Sequence, residues 1–549
     1  MVKPRPLGEC IDLANKPENA LEISISLDRW IASYEQNSSG AIVELVNLLI
    51  AASGLPKSAL LLDEVDFNAE DPLEELINET AFQQLVDDAG ARGPGFYIEP
   101  YPISDKKSGK RYKQGLLSVW EALIKKVRYD LLCDRTLVPW VAEHLCIASN
   151  SNHRGVRHTH TEVAMQLMVQ VSEYVAEYEA QKDAKERQQT GKKKRGGHVA
   201  QMTEEDVAEL DEKIEQLQEV VESMFRTVFL QRYRDVCEEI RVCCLSALGR
   251  CITTHRSHWL QDTYLKYAGW MLNDSASADV RRTSLAQLTA VYKANRDDLE
   301  PLRNFTQRFE SRIVEMTRDV DKHVGSYALQ LVNLLHECDM LQDPSGAVAE
   351  ALKLLGTADS STLRALAPLI EKHVALTAGT DADAADASTS ASPAGKKGKK
   401  GARPVDGPAA PSARSAAAKR LLQVAQLVSD QHAAVQMDTE LAARSRDRCN
   451  LLVPALAHAD PPVLAEWSAY SELLRADTLV DGLGAESEEH LRLVLLQLFA
   501  AQASRQHAQQ KRPRHVSPPP PRAPTSPATP SALCRCAGGA VLRRASRRG

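Results

Sequence analysis

A pattern that returns after 40 residues constrains this chain more than any other feature. Glu239-Ile240-Arg241 is followed by Leu245 and Leu248; Asp279-Val280-Arg281 is followed by Leu285 and Leu288, every position displaced by the same 40 residues. A looser third copy places Val324, Leu329 and Val332. A period near 40 with an acidic–aliphatic–Arg opening to the second helix is what a HEAT unit shows. One such helix pair cannot bury its apolar face alone, so successive pairs stack into a solenoid. Two amphipathic helices can also match by coincidence, and the pattern by itself leaves both readings standing.

Composition narrows the fold class. The 549 residues exceed what one compact core accommodates, which leaves several domains or one extended array. Aromatic residues make up only 5% while Leu and Ala abound, a balance that favours helix over strand. Every patterned segment has a period near 3.5 or 3.6, so an all-α fold is expected. The 11 cysteines are scattered without a CxxC pair, which suggests a reducing compartment. No apolar run approaches the roughly 18 residues of a membrane span, so no membrane partner is expected. The opening MVKPRPLGEC lacks a signal-peptide core. The net charge of −6 means that any nucleic-acid contact has to come from local basic patches.

Along the chain, residues 1–26 read as a flexible N-terminus and 27–374 as consecutive helices. Residues 375–418, rich in Ala, Asp, Ser, Pro and Lys, read as a disordered linker. Further helices are expected over 419–507, then a disordered basic, Pro-rich tail over 508–549. Within the helical region a projecting antiparallel hairpin is expected over 161–229. Ala164, Leu167, Val171, Tyr174 and Tyr178 form one coiled-coil seam; Val207, Leu210, Ile214, Leu217, Val221 and Met224 form the other. Thr203, followed by Glu204, Glu205 and Asp206, is the expected N-cap of the second helix. The tip between them, Gly191 to Gly197, is basic.

Catalytic signatures are missing: there is no phosphate loop, HExxH or GxSxG. His153, His158 and His160 cluster, but without the four spaced ligands of a structural zinc site; a solvated loop and helix start is the expectation. Neither cofactor nor metal is expected. Lys106, Lys107, Lys110, Arg111 and Lys113 form a dense patch before a helix, suited either to sequence-independent phosphate binding or to plain solvation. Lys192 to Arg195 and Lys396, Lys397, Lys399 and Lys400 are two further patches, for which solvated charge or a nuclear import signal is preferred.

In WLQDTYLKYAGWML, Leu260, Tyr264, Tyr267, Ala268 and Met271 share one helical face, while Asp262, Lys266 and Trp270 share the opposite, polar one. A Trp beside a charged pair is either a binding anchor or a side chain that the next repeat covers.

These blocks carry a resemblance. VFLQRYRDVCEEIRVCCLSALG, LQDTYLKYAGWMLND, DVRRTSLAQL and LRNFTQRFESRIVEMTRDVDKHV resemble the stromalin conservative domain over 225–335. VELVNLLIAASG and VRHTHTEVAMQLM, upstream, also resemble the stromalin (STAG-type) HEAT-repeat subunit of cohesin. Members of that family usually continue well beyond the length seen here, so a truncated product or an imperfect gene model is expected. The resemblance implies a non-catalytic scaffold for sister chromatid cohesion, nuclear and chromosome-associated. It would bind the kleisin and, through it, the coiled-coil ATPase subunits. It would also contact DNA without sequence preference and dock regulators bearing short aromatic motifs. Carried over residue by residue, the docking pocket comprises Tyr233, Asp262, Leu265, Lys266, Trp270, Arg308 and Phe309. The alternative is a different helical-repeat adaptor, such as a transport receptor or phosphatase scaffold.

Overall fold

The computed structural model describes residues 5–55, 82–84, 86–88, 101–128, 131–192, 198–352, 417–426, 467–476 and 485–510, with a few isolated positions besides. The chain divides into two units, 1–502 and 503–549, and the repeats and the candidate site lie wholly in the first. Among the described residues every regular element is helical. The longer helices are α1 Leu7–Leu13, α2 Ala20–Gln36, α3 Ser38–Ala52, α4 Gly109–Val127, α5 Leu137–Ser149, α6 Arg154–Lys192 and α7 His198–Met224. Then come α8 Glu238–Thr254, α9 Asp262–Met271, α10 Ala278–Ala294, α11 Arg303–Glu315, α12 Lys322–Glu337, α13 Pro344–Leu352, α14 Trp467–Arg475 and α15 Ala485–Gln510.

From α6 onward the stack has two layers. Helices α6, α8, α10 and α12 pack each on the next, and α9, α11 and α13 form the second layer against them. The repeated apolar positions account for this. Ile240, Leu245 and Leu248 in α8, Val280, Leu285 and Leu288 in α10, and Val324, Leu329 and Val332 in α12 are all buried. The arginines of the first two copies serve a different purpose from these apolar positions. Arg241 grips the Asp274 carboxylate through Nε at 2.8 Å and a terminal nitrogen at 3.3 Å, and donates to the Asp235 carbonyl at 2.7 Å. Arg281 repeats this one unit on, with both nitrogens 2.8 Å from Asp319 and a bond to the Asp274 carbonyl. Arg157 on α6 opens the series, with Nε 3.0 Å from Asp235. Each aspartate also accepts backbone amides of its own turn: Asp235 from Cys237, Asp274 from Ala276 and Ser277, Asp319 from Asp321. A buried ladder thus ties each second helix to the next repeat. It ends at the third copy, where Gly325 stands in the arginine's place. There a Cβ would sit 2.9 Å from the Thr317 carbonyl.

The hairpin is antiparallel: Glu179 meets Gln218, Lys182 meets Asp211, and Lys185 meets Asp206. The seam residues Ala164, Leu167, Val171, Tyr174, Tyr178, Leu210, Ile214, Leu217, Val221 and Met224 are buried. Two expectations need correction. Helix α7 starts at His198, so Thr203 lies inside it rather than capping it; Ala200, Gln201 and Met202 are good helix formers and extend it upstream. The N-terminus over 1–26 is not loose throughout. Leu7, Cys10 and Ile11 fall on one face of α1 and are buried, and α1 docks on α4 at Gly115, where a Cβ would lie 2.3 Å from the Ile11 carbonyl. Three apolar residues in a short polar segment are too weak a pattern to predict this. Residues 375–416, 511–549 and the hairpin tip 193–197 lie outside the described residues, so the expectations for the linker, the tail and the two outlying basic patches fall there.

Candidate functional site

The helix α9 is short because Gln261 is extended before it and Leu272 closes it. Its inner face is the one expected: Tyr264, Tyr267 and Ala268 are buried. Asp262 is exposed, and Lys266 and Trp270 are half-buried on the outer side. Trp270 packs edge-on against Tyr267, with centroids 5.4 Å apart, and is partly buried against the core. The Lys266 ammonium lies 5.7 Å from the Trp270 centroid, and the Arg234 guanidinium lies 5.9 Å from it. Both are within cation–π range. Among the described residues neither cation has a carboxylate within ion-pair distance, and the same holds for exposed Arg308. An aromatic platform between unpaired cations can take an aromatic side chain together with an acidic one.

Three carried-over residues take other roles. Leu265 is fully buried and Phe309 is 7% exposed, so both belong to the core. The Phe309 ring fills the notch left by Gly269, where a Cβ would lie 2.4 Å from Cζ, and this lets α11 approach α9 closely. Tyr233, 4% exposed, stacks on Phe229 and meets Tyr267 edge-on at 5.0 Å; it supports the platform from beneath. Arg308 is placed over Phe309, at 5.5 Å from that ring. Arg234 and Tyr267 were not anticipated as parts of the site. The available signal was the Arg-Asp pair after Tyr233: Asp235 belongs to the ladder, and the arginine beside it turns to the tryptophan.

The basic patch divides. Lys106, Lys107, Lys110 and Arg111 are exposed around the start of α4, whose first turn carries no acid. Cations there oppose the helix dipole. Lys113 turns inward and pairs with Glu162, which is buried and also lies 3.3 Å from His158 Nε2. Burial alone would raise the Glu162 carboxyl; Lys113 and His158 outweigh it and hold the group well below its ordinary value. Lys113 is therefore removed from the exposed patch.

The histidine cluster also departs from expectation. His158 is buried, with Nδ1 2.7 Å from the Tyr101 hydroxyl. His160 is fully buried, and its Nδ1 donates to the Val156 carbonyl at 2.8 Å. Burial, and then the neighbouring His144, push His160 down to about 3, so it stays neutral. His160 packs against His144 of α5 and His158 against Tyr101, so these two are not solvated, while His153 is half-buried. Among the described residues no group of His, Cys, Asp and Glu is arranged to hold a metal, and no helix is long and apolar enough to cross a membrane.

Comparison with known proteins places these elements. The stromalin conservative domain matches residues 234–310, inside the expected 225–335 stretch, and the STAG domain matches 99–213. The sister-chromatid cohesion protein 3 of Arabidopsis thaliana is 31% identical over 356 residues, covering 64% of this chain and 31% of that protein. Cohesin subunit SA-3 of Homo sapiens is 30% identical over 346 residues, covering 62% of this chain and 27% of that one. The chain thus spans about a third or less of the length of these relatives. The solved cohesin subunit Scc3 from Z. rouxii shares the fold, with a TM-score of 0.68 at 16% identity over 93% of this chain and 56% of that one. With both domain models matched in the chain and relatives named as cohesin subunits, this chain is similar to the stromalin subunits of cohesin over part of their length.

Proposed function

We propose that this chain is a non-catalytic scaffold of a cohesin-type complex. It binds a kleisin and, through it, the coiled-coil ATPases, and acts on chromosomes in the nucleus. What carries the reading is the half-exposed Trp270 between unpaired Lys266 and Arg234, within the stretch that matches the stromalin conservative domain. That arrangement suits a regulator peptide that brings an aromatic ring and a nearby carboxylate. Lys106, Lys107, Lys110 and Arg111 form a second surface, for the DNA backbone. Four exposed cations where a helix dipole disfavours them are suited to phosphates, and no base-reading element accompanies them. Relatives named as cohesin subunits support the assembly.

Copurification tests the assembly. The tagged chain is expected to bring down a kleisin and two long coiled-coil ATPases. Recovery of transport cargo or phosphatase subunits in their place contradicts the proposal.

A further inference from the structure

Between the hairpin and the repeats, α7 widens into a π-helical turn, Phe225–Phe229. A π turn holds an extra residue, which turns everything after it by about 100° relative to a continuous α-helix. Such turns are uncommon and concentrate at functional places. This one aligns three rings spaced by four residues. Phe225 and Phe229 stack at 4.9 Å and 13°, and Phe229 and Tyr233 at 5.6 Å and 8°. Their edges meet the inner face of α9: Phe225 meets Tyr264 at 5.0 Å, and Phe229 meets Tyr267 at 5.3 Å. Tyr267 in turn meets Trp270 edge-on. The residue after Tyr233 is Arg234, whose guanidinium faces both Tyr233 and Trp270. The ring stack therefore reaches the Trp270 site by two routes, one to the tryptophan and one to its arginine.

We infer that the π-helical turn, acting through Phe229 and Tyr267, positions the Trp270 site: it fixes the plane of the Trp270 ring and the bearing of Arg234 across it. Phe229 and Tyr267 are positioning residues, since both are buried and neither reaches a bound partner. The inference rests on the proposed reading of Trp270 as a peptide platform, and it gives that site a regulator. A partner that bends or twists the hairpin at this turn would change the site's affinity without touching it.

Val228 supplies the control. It lies fully buried in the same turn but takes part in no ring contact. The full chain is labelled with 5-fluorotryptophan, and the Trp270 resonance among the six tryptophans is assigned by its loss in Trp270→Phe. The affinity probe is a synthetic peptide with one Phe between Glu residues. Phe229→Leu is expected to shift or broaden the Trp270 resonance and to weaken the peptide about tenfold, near the upper worth of one aromatic pair. Val228→Ala is expected to leave both as in the wild type. Equal effects from the two variants, or a Trp270 resonance unmoved by Phe229→Leu, overturn the inference. If Phe229→Leu does not fold, Tyr267→Leu takes its place with the same two outcomes. If the wild type does not bind the peptide, the platform reading fails, and the resonance comparison still decides whether the turn positions Trp270.

Discussion

Cations of the same repeats are used in opposite ways in two places. In the ladder, Arg241 and Arg281 are largely buried, each held by both oxygens of an aspartate one repeat away. Arg234 and Lys266 lie beside the Trp270 ring and Arg308 lies over Phe309, and among the described residues none of the three has a carboxylate within ion-pair distance. A buried guanidinium has to be paired or the fold loses its solvation. A half-exposed one keeps its water and can remain available to a partner. Arg234 and Asp235 are adjacent and show both uses within two residues: Asp235 faces Arg157 and the ladder, while Arg234 faces Trp270.

If the two uses are as distinct as their geometry, the largest effect comes from breaking a rung. Arg241→Ala leaves Asp274 buried without its partner and is expected to cost about 3–5 kcal/mol. Chemical denaturation measures it, and a loss below about 1 kcal/mol would place the ladder among weak surface pairs. Lys113→Ala strands buried Glu162 and is expected to cost about 2 kcal/mol, discounted because Lys113 is partly exposed. It carries a pH signature. The folded Glu162 is depressed, so its contribution is present above the ordinary carboxylate range and fades as pH falls below it toward the folded value. Melting curves between pH 5 and about pH 2 should therefore show a flatter acid limb in the variant than in the wild type. Arg234→Ala should leave stability within about 0.5 kcal/mol yet weaken an acidic aromatic peptide by about fivefold, read by titration. Replacing Lys106, Lys107, Lys110 and Arg111 with Ala should not move the melting temperature. It should lower the salt slope of DNA binding by about 1 for each phosphate no longer neutralised. An unchanged slope makes the patch solvated charge.

How much of this was legible varies with the chemistry. The repeat was visible because the apolar spacing that buries Leu245, Leu248, Leu285 and Leu288 is also a sequence period. The outer placement of Lys266 and Trp270 followed from helical geometry. Arg157 escaped notice as the first rung because the inserted hairpin separates it from Arg241, although Val156-Arg157 has the same aliphatic–Arg form as Ile240-Arg241. Lys113 looked like its neighbours because sequence does not show which lysine of a cluster faces a buried glutamate on α6. The π-helical turn left no pattern at all: Phe225, Phe229 and Tyr233 are spaced by four, as in an ordinary helix.

The central claim is that Trp270 is a platform for a partner and the ladder is the frame that holds it. Melting and peptide titration of Trp270→Ala test it most directly. The account predicts a loss of about 1 kcal/mol of stability or less, together with at least a thirtyfold loss of affinity, the worth of about 2 kcal/mol for a tryptophan anchor. A stability loss of about 3–5 kcal/mol, as for a core tryptophan, with peptide affinity unchanged in the folded fraction, would contradict it.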